Sequence, residues 1–211
     1  MTPLRERKKE QTRARILQSA GRLLAERGFA AATMEEIAAA AEVSVGTLYN
    51  YFGSKTLLLL ALFDRETDLL IERGAAVVAD PGGDGSAAVL ALFETYLGFF
   101  LNDLDRGLLS DAFVVGMTQS ALGDELISMD LRLMEQVGHL VARLRADGLL
   151  AGEIPIEEAT LLLYSILIIQ ILSYVTVPAI GPEVVRAQIG RQVDAAFAGL
   201  RPIDPTRATT R

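Results

Sequence analysis

Two short segments with helical character, separated by a tight turn, constrain the fold of this chain most strongly. Thr33 lies three residues before Glu36, a spacing at which each side chain can bond the other's free backbone N–H, so a helix is predicted from Met34. Ser44 is a suitable N-cap for a second helix over residues 45–52, VGTLYNYF. Because eight residues are too few for a helix that is stable alone in water, packing must hold it. The pair predicts a helix-turn-helix.

The second helix of this pair has one side for packing and one side for contact. Leu48 and Phe52 are one turn apart and are predicted to face inward. The side chains predicted to lie outward or at the flanks are Val45, Gly46, Thr47, Tyr49, Asn50 and Tyr51. Asn can form two hydrogen bonds to adenine, Tyr and Val can touch thymine methyl groups, and Gly permits a close backbone approach. The exposed surface therefore predicts contact with a groove of DNA.

The charge of the chain is distributed unevenly, and the distribution matters more than the total. The net charge is −7, which alone would argue against a polyanionic partner. Residues 1–63 nevertheless carry nine basic and six acidic side chains, a net +3, whereas residues 64–211 carry 11 and 21, a net −10. Phosphate donors are predicted at Thr33, Thr47, Tyr51 and Lys55, with non-specific attraction from Arg5, Arg7, Lys8, Lys9, Arg13 and Arg15.

Helical periodicity continues along the rest of the chain, and no sustained alternation of apolar and polar residues predicts a strand. The fold class is therefore predicted to be all-α, with about nine helices. Three parts are expected: a helix-turn-helix domain over 1–53, a larger helical domain over 54–200 and a disordered tail over 201–211. The predicted helices cover 8–27, from 34, 45–52, 54–80, 86–104, 108–120, 124–147, 156–177 and 183–199.

The front of the chain resembles the DNA-binding domain of the TetR family of bacterial transcriptional regulators. The resemblance covers residues 8–55 through RARILQSAGRLLAERGF and ATMEEIAAAAEVSVGTLYNYFGSK, and TLYNYF followed by Lys55 is its most specific part. It implies a homodimer, a ligand domain after a linking helix, and repression that a small molecule relieves. Carried over by position, the DNA contacts fall on Thr33, Ser44, Val45, Gly46, Thr47, Tyr49, Asn50, Tyr51 and Lys55.

A twofold arrangement is expected because one helix-turn-helix covers only one half-site, and two half-sites lie about 34 Å apart on B-DNA. The last two predicted helices offer an interface, since one has an apolar stripe and the other is apolar almost all round. Two copies of each would form a four-helix bundle. The alternative is that both helices belong to the monomer core. The predicted interface residues are Ile168, Leu172, Val185, Ile189, Val193 and Leu200.

The larger domain is predicted to enclose a small lipophilic effector in an apolar pocket with a few polar groups. Glu94 and the acidic domain would suit a lipophilic cation, and an uncharged lipid-like or aromatic compound is equally allowed. The alternative for each predicted pocket residue is that it belongs to the packed hydrophobic core and lines no cavity. The predicted pocket residues are Phe93, Glu94, Leu97, Phe100, Phe113, Met117, Met134, Tyr164 and Gln170.

Residues 161–180 are long and apolar enough to cross a bilayer. The segment contains polar side chains and lacks Lys or Arg at either flank, so a helix buried in a bundle or a subunit interface is preferred and no membrane partner is expected. The N-terminus lacks the apolar region of a secretory signal, and cysteines are absent. These features predict a cytoplasmic protein.

Two rival function classes remain beside a regulator with an effector. A helical enzyme is disfavoured because the sequence contains no G-x-S-x-G, H-E-x-x-H or phosphate-loop motif and only one histidine, His139. The same residue counts predict neither a metal site nor a cofactor. The second rival is a DNA-binding protein of the same fold with a solid core and no effector.

Overall fold

The computed structural model describes residues 3–104, 106–118, 120–150 and 154–200, and these residues form helices without any strand. The predicted all-α class is thereby confirmed. The predicted tail, 201–211, lies outside the described residues. The helices are α1 (Pro3–Ala31), α2 (Met34–Ala40), α3 (Val45–Phe52), α4 (Lys55–Ala79), α5 (Gly85–Gly98), α6 (Arg106–Thr118), α7 (Ser120–Ala146), α8 (Ile156–Thr176) and α9 (Pro182–Leu200), with one π-helical turn, Phe99–Asp103, after α5.

Helix α1 begins earlier than predicted, at Pro3 instead of residue 8. The extra residues include the exposed basic side chains of Arg5 and Arg7, which precede the exposed Lys8 and Lys9. Near the other end, Gly28 has φ 77° and ψ 163°, so the regular helix is interrupted where the sequence predicted its end. This backbone conformation is accessible to glycine almost alone, because a Cβ would be strained there.

The described residues form two compact units. The first contains the chain up to Thr67 together with Leu104–Met129, and the second contains Asp68–Asp103 and the described residues from Asp130 onward. Helices α4 and α7 each contribute to both units. The boundary predicted after residue 53 falls inside the first unit, because the first half of α4 and all of α6 belong with α1–α3.

The core of the first unit joins α1, α2, α3 and α4. Ile16 and Leu17 of α1, Ile37 of α2, Leu48 of α3 and Leu58 of α4 are fully buried. Burial of this kind is the main driving force for folding, at roughly 25 cal/mol per Å² of apolar surface. The short helices therefore owe their stability to the shared core.

Helix α8 in the second unit is apolar on both sides. One side packs into the chain through residues such as Leu163, Leu167 and Ile171, whereas Leu161 and Ile169 on the other side are 58% and 51% exposed. By length and composition, α8 and the segment Gly85–Asn102 are long and apolar enough to cross a membrane, but 44% and 50% of them are buried inside the protein. Core helices of bundles have the same properties, so this finding is weak evidence for a membrane span.

Candidate nucleic-acid interface

A four-residue turn joins α2 to α3 and fixes the angle between them. The N–H of Val43 donates to the carbonyl of Ala38 at 3.0 Å, and the N–H of Glu42 donates to the carbonyl of Ala39 at 3.1 Å. Glu42 adopts a left-handed conformation with φ 53°, which a non-glycine residue rarely does. Ser19 of α1 is 8% exposed and donates to the last carbonyl of α2, at Ala40, over 3.2 Å. The turn and this bond together hold the pair in place.

Helix α3 is anchored by the two residues that the sequence predicted. Leu48 is fully buried and Phe52 is 6% exposed. The guanidinium of Arg13 on α1 lies 5.6 Å from the centre of the Phe52 ring, within the range of a cation–π contact. These contacts explain how an eight-residue helix is retained as a rigid element.

The opposite face of α3 is open to solvent. Gly46, Tyr49 and Asn50 are exposed, whereas Val45, Thr47 and Tyr51 are half-buried. A Cβ added to Gly46 would lie 4.0 Å from Ser44 Oγ, an ordinary van der Waals distance. The residue therefore has room for a side chain in the free protein, and its lack of one leaves the backbone open to a ligand.

Two hydroxyl groups predicted to touch DNA, those of Thr33 and Ser44, also cap helices. Ser44 Oγ accepts the N–H of Thr47 at 3.1 Å and lies 2.7 Å from the hydroxyl of Thr47. Thr33 Oγ1 accepts the N–H of Glu36 at 3.2 Å, and the Glu36 carboxylate accepts the N–H of Thr33 at 3.1 Å, so the predicted capping box is confirmed. A hydroxyl that accepts a bond can still donate its own hydrogen to a phosphate.

The carboxylate of Glu36 is tied to two elements. The backbone N–H of Thr33 is the main cause that lowers the pKa of Glu36. Desolvation opposes it, whereas the Thr33 hydroxyl and the charge and hydrogen bond of Arg27 lower the pKa further. Arg27 of α1 donates to Glu36 as an ion pair. The N-terminus of α2, with its exposed backbone N–H groups, is thereby attached to α1.

Lys55, which the sequence predicted to contact a phosphate, contacts backbone carbonyls in the free chain. Its ammonium donates to the carbonyls of Phe29 at 2.6 Å and Ala32 at 2.8 Å, with Ala30 at 3.4 Å, and lies 4.6 Å from the centre of the Phe29 ring. All three ammonium hydrogens thus have acceptors inside the protein. In the free chain Lys55 therefore caps the end of α1, and its phosphate contact stays a prediction.

Asp111 of α6 joins the same turn and gave no signal in the sequence. Its Oδ2 accepts the backbone N–H of Phe29 at 3.0 Å, across 82 residues of chain. Ser19 and Arg13 were also missed as contact residues of the helix-turn-helix. A polar Ser19 on the apolar face of a predicted helix could have signalled a buried hydrogen bond, since buried hydroxyls are nearly always bonded.

The residues predicted to line an effector pocket are not all brought together. Phe93, Leu97, Tyr164 and Gln170 are buried in the second unit, and Phe100 and Met134 are half-buried there. Two predictions need correction. Glu94 is exposed and pairs with Arg186 at 3.0 Å, and Phe113 is 37% exposed and belongs to the first unit. The side chain of Met117 lies outside the described residues.

The polar groups inside the second unit form a network that the sequence did not reveal. The Tyr96 hydroxyl donates to Gln136 Oε1 at 2.6 Å, and Gln136 Nε2 donates to the carbonyl of Ile71 at 2.7 Å. The Tyr164 hydroxyl donates to Asp130 Oδ1 at 2.5 Å. Burial raises the pKa of both tyrosines and of Asp130 because each charged form would lose its hydration.

One buried acceptor in this unit remains open. Gln170 is 6% exposed, and its Nε2 donates to Gln192 Oε1 at 3.2 Å. Its own Oε1 has no hydrogen-bond partner among the described residues. A buried unbonded amide oxygen is costly, so this position can accept a hydrogen bond from a ligand or from water.

The predicted dimer interface also needs correction. Val185, Ile189 and Val193 of α9 are buried within one chain, so a second chain cannot reach them in this fold. These three residues fit the alternative of monomer core. Ile168 and Leu172 of α8 are half-buried, and the side chain of Leu200 lies outside the described residues. An apolar stripe on α8 is open to solvent instead: Leu161, Leu162 and Ile169 are exposed, Ile168 and Leu172 are half-buried, and the exposed Ser165 is its polar member.

Comparisons with known proteins agree with this geometry. Residues 16–62, from α1 into α4, match the family described as "Bacterial regulatory proteins, tetR family". The chain is 38% identical over 151 residues to the HTH-type transcriptional repressor KstR of Rhodococcus jostii. That alignment covers 71% of this chain and 64% of the repressor, so the chain spans less than two thirds of that relative.

Solved structures with low sequence identity share the fold. A TetR transcription regulator from Haloarcula marismortui has a TM-score of 0.75 at 18% identity, covering 90% of this chain and 98% of that one. Thermus thermophilus FadR, a TetR-family transcriptional repressor solved in complex with lauroyl-CoA, has a TM-score of 0.67 at 23% identity, covering 92% and 97%. The helix-turn-helix of this chain therefore matches that of the TetR family of bacterial regulatory proteins, and the fold as a whole is shared with solved TetR-family structures.

Proposed function

We propose that the chain is a sequence-specific DNA-binding transcriptional regulator, a repressor that binds a palindromic operator as a homodimer and is released by a small lipophilic effector. One observation carries the DNA-binding part of this proposal. Helix α3 buries Leu48 and Phe52 while it exposes Gly46, Tyr49 and Asn50, so a rigid helix presents a polar and aromatic face. A helix of this kind fits the major groove of B-DNA.

Each exposed group of α3 has a role in this proposal. Asn50 bonds an adenine edge, Tyr49 and Val45 touch thymine methyl groups, and Gly46 admits the sugar-phosphate backbone or a base edge closely. The hydroxyls of Thr33 and Thr47 donate to phosphates, together with the free backbone N–H groups at the start of α2. The exposed basic side chains at the start of α1 supply the salt-dependent part of the affinity.

The homodimer is proposed to form through the apolar stripe on α8. Leu161 and Ile169 are more than half exposed in one chain, and Leu162 is 45% exposed. Exposed apolar patches of this kind mark interaction sites because water contact is unfavourable for them. Two copies are needed because one α3 covers a single half-site, and successive half-sites lie about 34 Å apart on B-DNA.

The effector is proposed to bind in the second unit, where four of the predicted pocket residues are buried and two are half-buried. Tyr164, Gln136 and the open oxygen of Gln170 offer polar points in an apolar surrounding. The shared fold with Thermus thermophilus FadR, solved with lauroyl-CoA, supports an acyl chain as the first class to test. A repressor of this kind acts on chromosomal DNA, in the cytoplasm.

Selection of bound duplexes from a random pool tests the DNA-binding part directly. We expect enrichment of one palindrome whose half-sites are about one helical turn apart, or a small multiple of it. Tyr49→Ala and Asn50→Ala should each weaken binding by about 1–3 kcal/mol and relax preference at one base step. Asn102→Ala, on an exposed residue of the second unit, is the matched control and should bind as the parent does.

Failure to enrich any duplex at low ionic strength would overturn the proposal. The effector is tested separately, by titrating the protein–operator complex with acyl-CoA of increasing chain length and measuring release. If no acyl-CoA releases the operator or raises the melting temperature of the protein, acyl-CoA is not the effector. That result would favour the rival, a DNA-binding protein of the same fold without an effector.

A further inference from the structure

The turn between α1 and α2 is fixed by residues outside the helix-turn-helix. At Gly28 the ψ angle is 163°, whereas a helix requires about −42°, so the peptide plane before Phe29 is rotated out of the helical direction. The N–H of Phe29 donates to Asp111 of α6 at 3.0 Å. A charged acceptor makes this a strong type of hydrogen bond.

The carbonyl side of the same turn is held from α4. The Lys55 ammonium donates to the carbonyls of Phe29 and Ala32, at 2.6 and 2.8 Å. The N–H and C=O of Phe29 are therefore bonded to two different helices. Thr33, the N-cap of α2, follows four residues later and begins the helix whose N-terminus faces phosphate in the proposed complex.

We propose that Asp111 is a positioning residue for DNA binding: from α6, it sets the place of the α1–α2 turn and hence of the first turn of α2. The inference rests on the proposed function. Asp111 lies far beyond the part of the chain that reads DNA, but α6 belongs to the same compact unit as α1–α3. Loss of the carboxylate frees the Phe29 N–H and lets the N-terminus of α2 move relative to α3.

Electrostatics and positioning predict opposite signs for removal of this carboxylate. A negative charge repels phosphate, so its removal alone strengthens DNA binding or leaves it unchanged. Loss of positioning weakens binding, because the protein must order the turn as it binds. A fall in affinity on removing an acidic residue is therefore diagnostic for positioning.

The experiment uses the full chain and the operator found by selection, at a temperature where circular dichroism shows every variant fully folded. We expect D111A to bind operator about tenfold more weakly, the effect of losing one charged hydrogen bond, with a smaller loss on random duplex. D111N keeps an oxygen acceptor and should recover most of the affinity. D124A removes an exposed carboxylate of α7 in the same unit and should bind at least as tightly as the parent.

Amide hydrogen exchange gives a second measurement that does not require a variant to bind DNA. The Phe29 amide should be protected in the parent and should exchange about tenfold faster or more in D111A. An unprotected Phe29 amide in the parent, or a folded D111A that binds operator as tightly as the parent, would overturn the inference and leave the DNA-binding function intact. If the parent binds no duplex, the proposed function itself fails, and this inference fails with it.

Discussion

The ammonium of Lys55 lies 2.6 Å from the carbonyl oxygen of Phe29 and 4.6 Å from the centre of the ring of the same residue. Two further carbonyls, of Ala30 and Ala32, lie within 3.4 Å of this ammonium. The first residue of α4 therefore caps the carbonyls at the end of α1, where a cation is favoured by the helix dipole.

Lys55→Met should consequently destabilise the fold, because the aliphatic stem remains but the carbonyls lose their donor. We expect a loss of about 1.5–3 kcal/mol in the free energy of unfolding, the usual range for hydrogen bonds to a charged group. Urea denaturation at fixed protein concentration measures it. Lys8→Met removes an exposed ammonium from α1 and is the control. A stable Lys55→Met protein with uniformly weaker binding to all duplexes would instead indicate a phosphate contact.

Gly46→Ala should separate stability from DNA affinity. The added methyl group would lie 4.0 Å from Ser44 Oγ without a clash, and alanine favours a helix over glycine by about 0.5–1 kcal/mol. We expect a higher unfolding midpoint together with weaker operator binding, because the methyl group would stand between the helix and the groove. Gly98→Ala in α5 also adds a Cβ in open space and should change stability without changing DNA affinity. Unchanged operator affinity in Gly46→Ala would contradict the close approach.

Gly74 on α4 is required by the network inside the second unit. A Cβ at this position would lie 2.5 Å from Gln136 Oε1 and 2.7 Å from Leu92 Cδ1. The Gln136 side chain cannot move freely, because it accepts from Tyr96 and donates to the carbonyl of Ile71. Gly74→Ala should therefore cost about 1–3 kcal/mol of stability. The double variant with Gln136→Ala should lose less than the two single changes added together, and full additivity would argue against the clash.

Ile169→Glu should convert the proposed dimer into a monomer. The side chain is 51% exposed on the apolar stripe of α8, so the single chain can still fold, whereas a charge buried between two copies is strongly unfavourable. Sedimentation velocity should show one chain in place of two, and operator affinity should fall with the loss of the second half-site. Ile127→Glu changes an isoleucine that is 59% exposed on α7 and should remain dimeric. A dimeric Ile169→Glu protein would move the interface elsewhere.

Asp130 should give the second unit a measurable pH dependence. Burial raises the pKa of Asp130 in the folded chain, and the Tyr164 hydroxyl only partly opposes this. A raised pKa means that the stability contributed by this group is complete below the unfolded pKa, about 3.9, and is lost as pH rises through the folded pKa. Between the unfolded and the folded pKa, the parent should therefore lose stability relative to Asp130→Asn as pH rises. Above the folded pKa, the difference in stability between the two proteins should stay constant. A difference in stability between the parent and Asp130→Asn that does not change with pH would contradict the shift.

The helix-turn-helix was predictable because its determinants lie close together in the sequence. Thr33 and Glu36 form their capping box within one turn of helix, and Leu48 and Phe52 share a face by the helical period alone. The all-α class followed for the same reason, since periodicity is a local property. The apolar stripe of α9 was recognised correctly as a stripe, but periodicity does not say whether the chain itself or a second copy covers it.

The sequence by itself determined the type and order of the helices, the caps of α2 and α3, and the residues that α3 exposes. Only the tertiary structure decided that Lys55 and Asp111 bind Phe29, that Arg186 pairs with Glu94, and that α8 rather than α9 has the exposed apolar stripe. The physical reason is the separation along the sequence of the residues that interact. Capping and periodicity act between residues a few positions apart, whereas these contacts join residues separated by 26 to 92 positions and depend on how whole helices pack.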